Sequence, residues 1–282
     1  MLIAQVTDIH LGFEPGNPAE FNRQRLDQVL QALIDGPNRP DLLLATGDLT
    51  ENGDADSYAR LAEAFDRCPF PVWPCMGNHD DRANFSAQFP QVPQQDGFIH
   101  YVIPLQGRRI IMLDTLEPGR HGGAFCEARA AWLRARLDED SETPTLIVMH
   151  HPPVEVGIEW MNTDPREPWV ERFAATIGTR AQVQAILCGH IHRAIAAPWN
   201  GTTVAICSSS APQLGLDLRS IDPETPDGRP MIIADAPAFA LHRWTEQGIV
   251  SHFETAGDHT TLARFDGGMQ PIVKMIMGER PD

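Results

Sequence analysis

Apolar and polar positions alternate in blocks over the first two thirds of the chain. Leu2–Thr7 is a short apolar run that stops on Asp8, the length of a buried strand. Phe21–Ile34 repeats apolar residues at helical spacing (Leu26, Val29, Leu30, Leu33, Ile34). Leu42–Ala45 and Phe70–Cys75 read as strands, with Tyr58–Phe65 as a helix between them. Ile99–Ile103 and Arg109–Leu113 read as adjacent strands joined through Gly107. Ala128–Leu137 is a helix, Thr145–Met149 a strand, Phe173–Ile177 part of a helix and Ala185–Cys188 a strand. Strands alternating with helices predict βαβ units and a layered α/β fold.

After about Ala194 the runs shorten to Thr203–Ile206, Met231–Ala234, Phe239–Trp244 and Gly248–Phe253, with a Pro/Gly/Asp-rich stretch at Asp217–Pro230. These read as short strands, some of them completing a second sheet. Ala194–Asn200 is the best candidate for a boundary. The expected division is a catalytic core over 1–200 and, over 201–282, C-terminal strands with a cap or dimerisation segment.

Five strand-like runs end on groups that bind metals: Asp8-x-His10, Gly47-Asp48, Gly77-Asn78-His79-Asp80, His150-His151 and Gly189-His190-x-His192. Each alone also reads as a turn or a core histidine. Together they place ligating side chains at the carboxyl ends of strands, where α/β sheets bind their ligands. Imidazole and carboxylate donors suit Zn, Mn, Fe and Co. In an extended segment, alternation puts Asp8 and His10 on one face, and likewise His190 and His192.

Composition narrows the chemistry. Of 282 residues, 42% are hydrophobic and 21% charged, which excludes a disordered chain. The net charge of −16 argues against a polynucleotide partner or an anionic membrane. Lys274 is the only lysine, which argues against P-loop and Schiff-base chemistry. Five cysteines (Cys68, Cys75, Cys126, Cys188, Cys207) form no CxxC pair and read as buried or reduced thiols. The N-terminus lacks a basic region and an apolar core, so a cytoplasmic location is expected.

The ordered set D-x-H, G-D, G-N-H-D, H-H and G-H-x-H resembles the five blocks of the calcineurin-like metallophosphoesterase superfamily, over about Leu2–Arg193. Block sizes look most like class III cyclic nucleotide phosphodiesterases and bacterial glycerophosphodiesterases. The resemblance implies a four-layer α/β/β/α sandwich of two mixed sheets flanked by helices. It implies two metal ions (Fe, Mn, Zn or Co), the first held by Asp8, His10, Asp48 and His192. The second would be held by Asp48, Asn78, His150 and His190, with Asp48 as the bridge. His79, with Asn78, would face the substrate phosphate, and His151 would support the site. The implied reaction is hydrolysis of a small phosphodiester, a cyclic nucleotide or a glycerophosphodiester, by a hydroxide shared between the metals. Two cations stabilise that hydroxide near neutral pH and clamp both the attacking and leaving oxygens. His79 would bind a phosphate oxygen or protonate the leaving group. The alternatives are a phosphomonoesterase or nuclease of the same superfamily, and a non-catalytic metal-binding scaffold. A homodimer or higher homo-oligomer is expected.

Outside the blocks, Asp80 and Asp81 read as orienting residues or helix caps. Trp160, Met161 and Trp169 read as an apolar lip or as packing, and Arg193 as a phosphate contact or a surface ion pair. The loop Asp217–Pro230 reads as a cap or a subunit contact. His100, His121, His242, His252 and His259 belong to no motif and read as ordinary surface or core histidines.

Overall fold

A computed structural model describes residues 1–281. In chain order the strands are β1 (Leu2–Val6), β2 (Leu42–Thr46), β3 (Val72–Cys75), β4 (Tyr101–Leu105), β5 (Arg108–Leu113), β6 (Thr145–Met149), β7 (Val183–Cys188), β8 (Ile195–Trp199), β9 (Thr202–Ile206), β10 (Gln213–Leu214), β11 (Ile232–Ile233), β12 (Ala238–Thr245) and β13 (Gly248–Thr255). The helices are α1 (Phe21–Asp35), α2 (Ala55–Phe65), α3 (Arg82–Gln88), α4 (Glu127–Asp138), α5 (Pro168–Ile177) and α6 (Gln270–Gly278). One sheet runs β13-β12-β1-β2-β3 and the other β4-β5-β6-β7-β9-β8; β10 and β11 pair separately. In both sheets the ligand-bearing strands are parallel: β1 with β2 and β2 with β3, then β6 with β7. Parallel order sends all their carboxyl ends to the same edge.

Side-chain alternation separates two cores. Ile110, Met112, Leu146, Val148, Ala185 and Leu187 face the first sheet and share a core with Leu26, Leu30, Leu61 and Phe85 of α1–α3. Their neighbours Ile111, Leu113, Ile147, Met149, Ile186 and Cys188 face outward, packing on Leu133 of α4 and Phe173 of α5. The second sheet is therefore buried on both faces, which is why its strands read as continuous apolar runs. The result is the expected pair of mixed sheets flanked by helices.

The C-terminal strands depart from expectation. Only β9 joins the second sheet among the runs after residue 201. β12 and β13 join the first sheet, β12 pairing antiparallel with β1 from Leu2↔Arg243 to Gln5↔Ala240. Sequence patterning fixes that these are strands but not which edge they extend. The boundary candidate Ala194–Asn200 is itself strand β8, hydrogen-bonded to β9. A Pro at 198 masks the pattern, and it is tolerated because β8 is an edge strand. Beyond β13, α6 has no buried residue and leaves Met275, Ile276 and Met277 more than half or half exposed (61%, 50% and 56%). No helix among the described residues is long and apolar enough to cross a membrane.

Candidate metal centre

The loops after β1, β2, β3, β6 and β7 bring the expected ligands into contact. Asp48 Oδ2 lies 3.2 Å from His150 Nε2 and 3.7 Å from His10 Nε2. Asp8 Oδ1 lies 3.3 Å from His192 Nε2 and 3.8 Å from His150 Nε2. His10 Nε2 and His192 Nε2 are 3.2 Å apart. Ligating atoms meet in the sets Asp8–His10–His192, His10–Asp48–His79, Asp8–Asp48–His150 and His150–His151–His190. Asp8 and Asp48 each belong to two sets, so the carboxylates stand between the histidines of both sides.

The local backbone explains how so many side chains converge. Asp8, His10, Asp48, His190 and His192 all have positive φ, between 47° and 73°. The left-handed region is uncommon for residues other than glycine, although Asp and His tolerate it better than most. Each reverses the chain just past a strand end. This corrects the alternation argument: Asp8 and His10 share a direction through two left-handed turns, not as part of an extended strand. Glycines make the approach possible. Gly47 has φ +89° and any Cβ there would strike the His150 ring; a Cβ on Gly189 would strike the Thr7 hydroxyl.

Three of the four expected ligand histidines are oriented through their Nδ1. His10 Nδ1 meets Glu51 Oε2 at 2.7 Å, His150 Nδ1 meets the Thr46 carbonyl at 2.8 Å, and His192 Nδ1 meets the Pro212 carbonyl at 2.8 Å. Such contacts fix the tautomer that leaves Nε2 free for a metal. The backbone N–H of His79 donates to Asp48 Oδ1 (2.9 Å) and that of His190 donates to both oxygens of Asp8 (3.1 and 3.0 Å). His79 Nδ1 faces the Glu51 carbonyl at 2.8 Å, and the ring is a third exposed.

The residues present fit a metal pair. Asn78 Oδ1 and His150 Nε2 are buried polar atoms without a hydrogen-bond partner, an arrangement that is costly unless a ligand completes it. The donors are imidazole, carboxylate and amide oxygen, and no cysteine joins the sets among the described residues. That chemistry favours Zn, Mn, Fe or Co over thiophilic ions.

Electrostatics follow from burial and proximity. Burial works against the Asp48 carboxylate, but His150 and His10 outweigh it and hold it well below the usual range. Asp8 is lowered likewise, burial being overcome by His192 and His150. Burial depresses His150, yet Asp48 raises it to about 9. Burial and the neighbouring His151, His150 and His121 keep His190 well below the ordinary imidazole value, hence neutral.

Other expected residues divide. Asp80 is buried and accepts from the backbone N–H of Gly77 (2.9 Å), Leu49 (3.2 Å) and Thr50 (3.2 Å), tying the Asp48 loop to the Asn78 loop. Burial and nearby Asp48 raise it to about 6. Asp81 caps α3 by accepting from Asn84 N–H (2.8 Å). His151 has both nitrogens engaged, with Thr115 Oγ1 at 2.8 Å and the His121 carbonyl at 3.2 Å. Trp160 and Met161 line the cavity beside the cluster, but Trp169 is buried in the core under α5, its apolar face being an inward helix position. Arg193 forms no ion pair among the described residues; its Nη1 donates to the Leu214 carbonyl at 2.6 Å. The loop Asp217–Pro230 links β10 to β11 and reaches the Trp160 turn, where Ile221 N–H donates to Glu159. His121 is a correction: it lines the same cavity, its ring 4.6 Å from that of His190. Glu51 and His121 carry no motif, and sequence reasoning misses both.

With this geometry in hand, comparison with known proteins is specific. The family model described as calcineurin-like phosphoesterase matches residues 1–194. A probable glycerophosphodiester phosphodiesterase from Arcobacter nitrofigilis is 31% identical over 264 residues, covering 91% of this chain and 94% of the relative. A probable cyclic nucleotide phosphodiesterase from Synechococcus is 35% identical over 233 residues, covering 80% and 88%. Among solved structures, a dimetal phosphatase from Danio rerio superposes with a TM-score of 0.63 at 16% identity, covering 91% of this chain and 99% of that one. That likeness is one of fold.

Proposed function

Because the chain belongs to the calcineurin-like phosphoesterase family, we propose that it is a metal-dependent hydrolase of small phosphodiesters. The observation that carries the reading is the meeting of Asp8, His10, Asp48, His79, His150, His190 and His192 where the carboxyl ends of strands from both sheets come together. In this reading Asp8, His10, Asp48 and His192 hold one metal, and Asp48, Asn78, His150 and His190 the other. Bound metal ions supply Lewis acidity toward the phosphate and toward a water molecule. The protein's part is to position and to neutralise. Glu51, Thr46 and Pro212 aim the imidazoles, and the His79 N–H orients Asp48. His79, oriented by the Glu51 carbonyl, is the residue that hydrogen-bonds phosphate or gives a proton to the leaving oxygen.

The cavity favours a diester over a monoester. No Arg or Lys is among its lining residues, so little positive charge besides the metals faces a second phosphate charge. The relatives named for glycerophosphodiesters and cyclic nucleotides support the same class. A cytoplasmic site of action is part of the reading, supported by five cysteines that are all unpaired. So is self-association: a nine-residue helix such as α6, with no buried residue, is marginal alone in water. The proposed ligands all lie within residues 1–200; of the remainder, β9, β12 and β13 complete the two sheets and α6 is taken as the association segment.

The test is hydrolysis of bis(p-nitrophenyl) phosphate against the monoester, with and without Mn²⁺. Diester turnover that a chelator abolishes is expected. Preferential monoester turnover would make the protein a phosphomonoesterase, and two bound metals without turnover would make it a scaffold.

A further inference from the structure

Helix α1 turns one face inward and buries Leu26, Val29, Leu30 and Leu33 in the core. The first turn of the helix continues that buried face with polar side chains. Asn22 and Arg25 are 5% and 4% exposed, and their i, i+3 spacing makes them neighbours. An amide and a guanidinium placed in the interior are costly unless hydrogen bonds satisfy them. Apolar residues of similar volume often replace buried charges without loss of stability, so the fold alone gives no reason for this pair.

Their hydrogen bonds lead to the ligands of one metal. Asn22 Nδ2 donates to the His10 carbonyl at 2.9 Å. Arg25 forms no ion pair among the described residues; its Nε donates to the Ser210 carbonyl (2.7 Å) and its Nη2 to the Ala211 carbonyl (3.1 Å) and to Gln213 Oε1 (3.4 Å). These acceptors belong to the loop 209–213, which lies outside residues 1–194, the span of the family match. The N–H groups of Ser210 and Ala211 donate in turn to the carbonyls of Thr7 and Asp8, both at 3.1 Å. The next carbonyl of the loop, Pro212, lies 2.8 Å from His192 Nδ1, and Ser209 Oγ donates to it at 3.1 Å. The backbone of Asp8, the backbone of His10 and the ring of His192 are thus all braced from α1. No hydrogen bond of Asn22 or Arg25 reaches Asn78, His150 or His190.

We propose that Asn22 and Arg25 are positioning residues for the ion read as held by Asp8, His10, Asp48 and His192, and not for its neighbour. The proposal rests on the two-metal reading and goes further by making the two positions separately tunable. The planar fork of an arginine holds two adjacent carbonyls at once. With the carbonyls of Ser210 and Ala211 fixed, the Pro212 carbonyl is kept on His192 Nδ1, which leaves Nε2 for a metal.

The test reads metal, not turnover. Mn²⁺ is titrated into the full chain and the free ion is followed by electron paramagnetic resonance, which gives an affinity for each bound ion. Arg25→Met and Asn22→Leu should each weaken one ion by about 10- to 100-fold, the usual effect of removing a partner behind a ligand, and spare the other. Arg25→Lys, which keeps the charge and a donor, should lose less. Arg25→Met combined with Asn78→Ala should weaken both ions. Equal weakening of both ions by Arg25→Met alone overturns the proposal, and so does a double variant that binds no more weakly than Asn78→Ala. If Arg25→Met does not fold, Ser209→Ala takes its place, since it removes only a hydroxyl from the Pro212 carbonyl. It should weaken the same single ion, and unchanged affinity overturns the proposal. A wild-type chain that binds fewer than two ions overturns it together with the two-metal reading. Loss of one ion in a protein that hydrolyses no diester would sink the phosphodiesterase reading and leave the brace standing.

Discussion

The carboxylate of Glu51 lies 2.7 Å from Nδ1 of His10, and the carbonyl of the same residue lies 2.8 Å from Nδ1 of His79. One residue therefore sets the ring orientation of a proposed ligand and of the proposed phosphate-facing histidine. Glu51→Gln keeps the shape and removes the charge. It should weaken metal retention or activity by about 10- to 100-fold. Metal analysis after dialysis, beside kcat, checks this; full retention of both would deny Glu51 a positioning role.

Asn78 Oδ1 has no partner in the protein. Asn78→Ala should deplete one of two bound metals more than the other, with little change in folding. Equal occupancy of both positions would remove Asn78 from the ligand set.

Gly47→Ala tests the packing that brings the loops together. The added Cβ meets the His150 ring at a residue with φ +89°. Strain at such positions runs to about 1–3 kcal/mol. A lower melting temperature together with lost metal is expected, and a variant with wild-type values for both would contradict the geometry.

Metal uptake should expel a proton. Asp48 holds His150 at about 9 against the effect of burial, so at pH 7.5 the imidazole carries a proton that a metal must displace. Calorimetry of Mn²⁺ or Zn²⁺ binding in buffers of different ionisation enthalpy reads the proton directly. Affinity should rise with pH up to about 9.

Acid should destabilise the fold through His242, far along the chain from the ligand loops. It is buried between Gln5 Oε1 (2.9 Å) and Ser251 Oγ (2.8 Å), and burial, then His252, lowers it from 6.5 to about 3. Because the folded value is depressed for a base, the unfolded chain takes the proton first. Stability is whole above pH 6.5 and falls between 6.5 and 3, by up to about 1.4 kcal/mol per pH unit. Denaturation curves of His242→Gln should show a shallower decline over that window; an identical slope would place the linkage elsewhere.

The proposed ligands are legible in the sequence because each stands where an apolar run stops, a local signal. Strand membership after residue 201 is not local: β12 lies beside β1 although more than 230 residues separate them, as in Ile3↔His242. The seven-residue α3 is too short and polar to show periodicity. The alternation rule makes Asp8 and His10 extended, because a motif does not reveal left-handed φ. Glu51 and His121 act through spatial neighbours, so no spacing announces them.

The proposed ligands divide between the layers. Asp8, His10, Asp48 and Asn78 hang from the five-stranded sheet, while His150, His190 and His192 hang from the six-stranded one. A filled centre is consequently a rivet driven through both halves at a single rim. Stripped of its ions, the molecule would begin to part there first, like a book whose clasp has been undone.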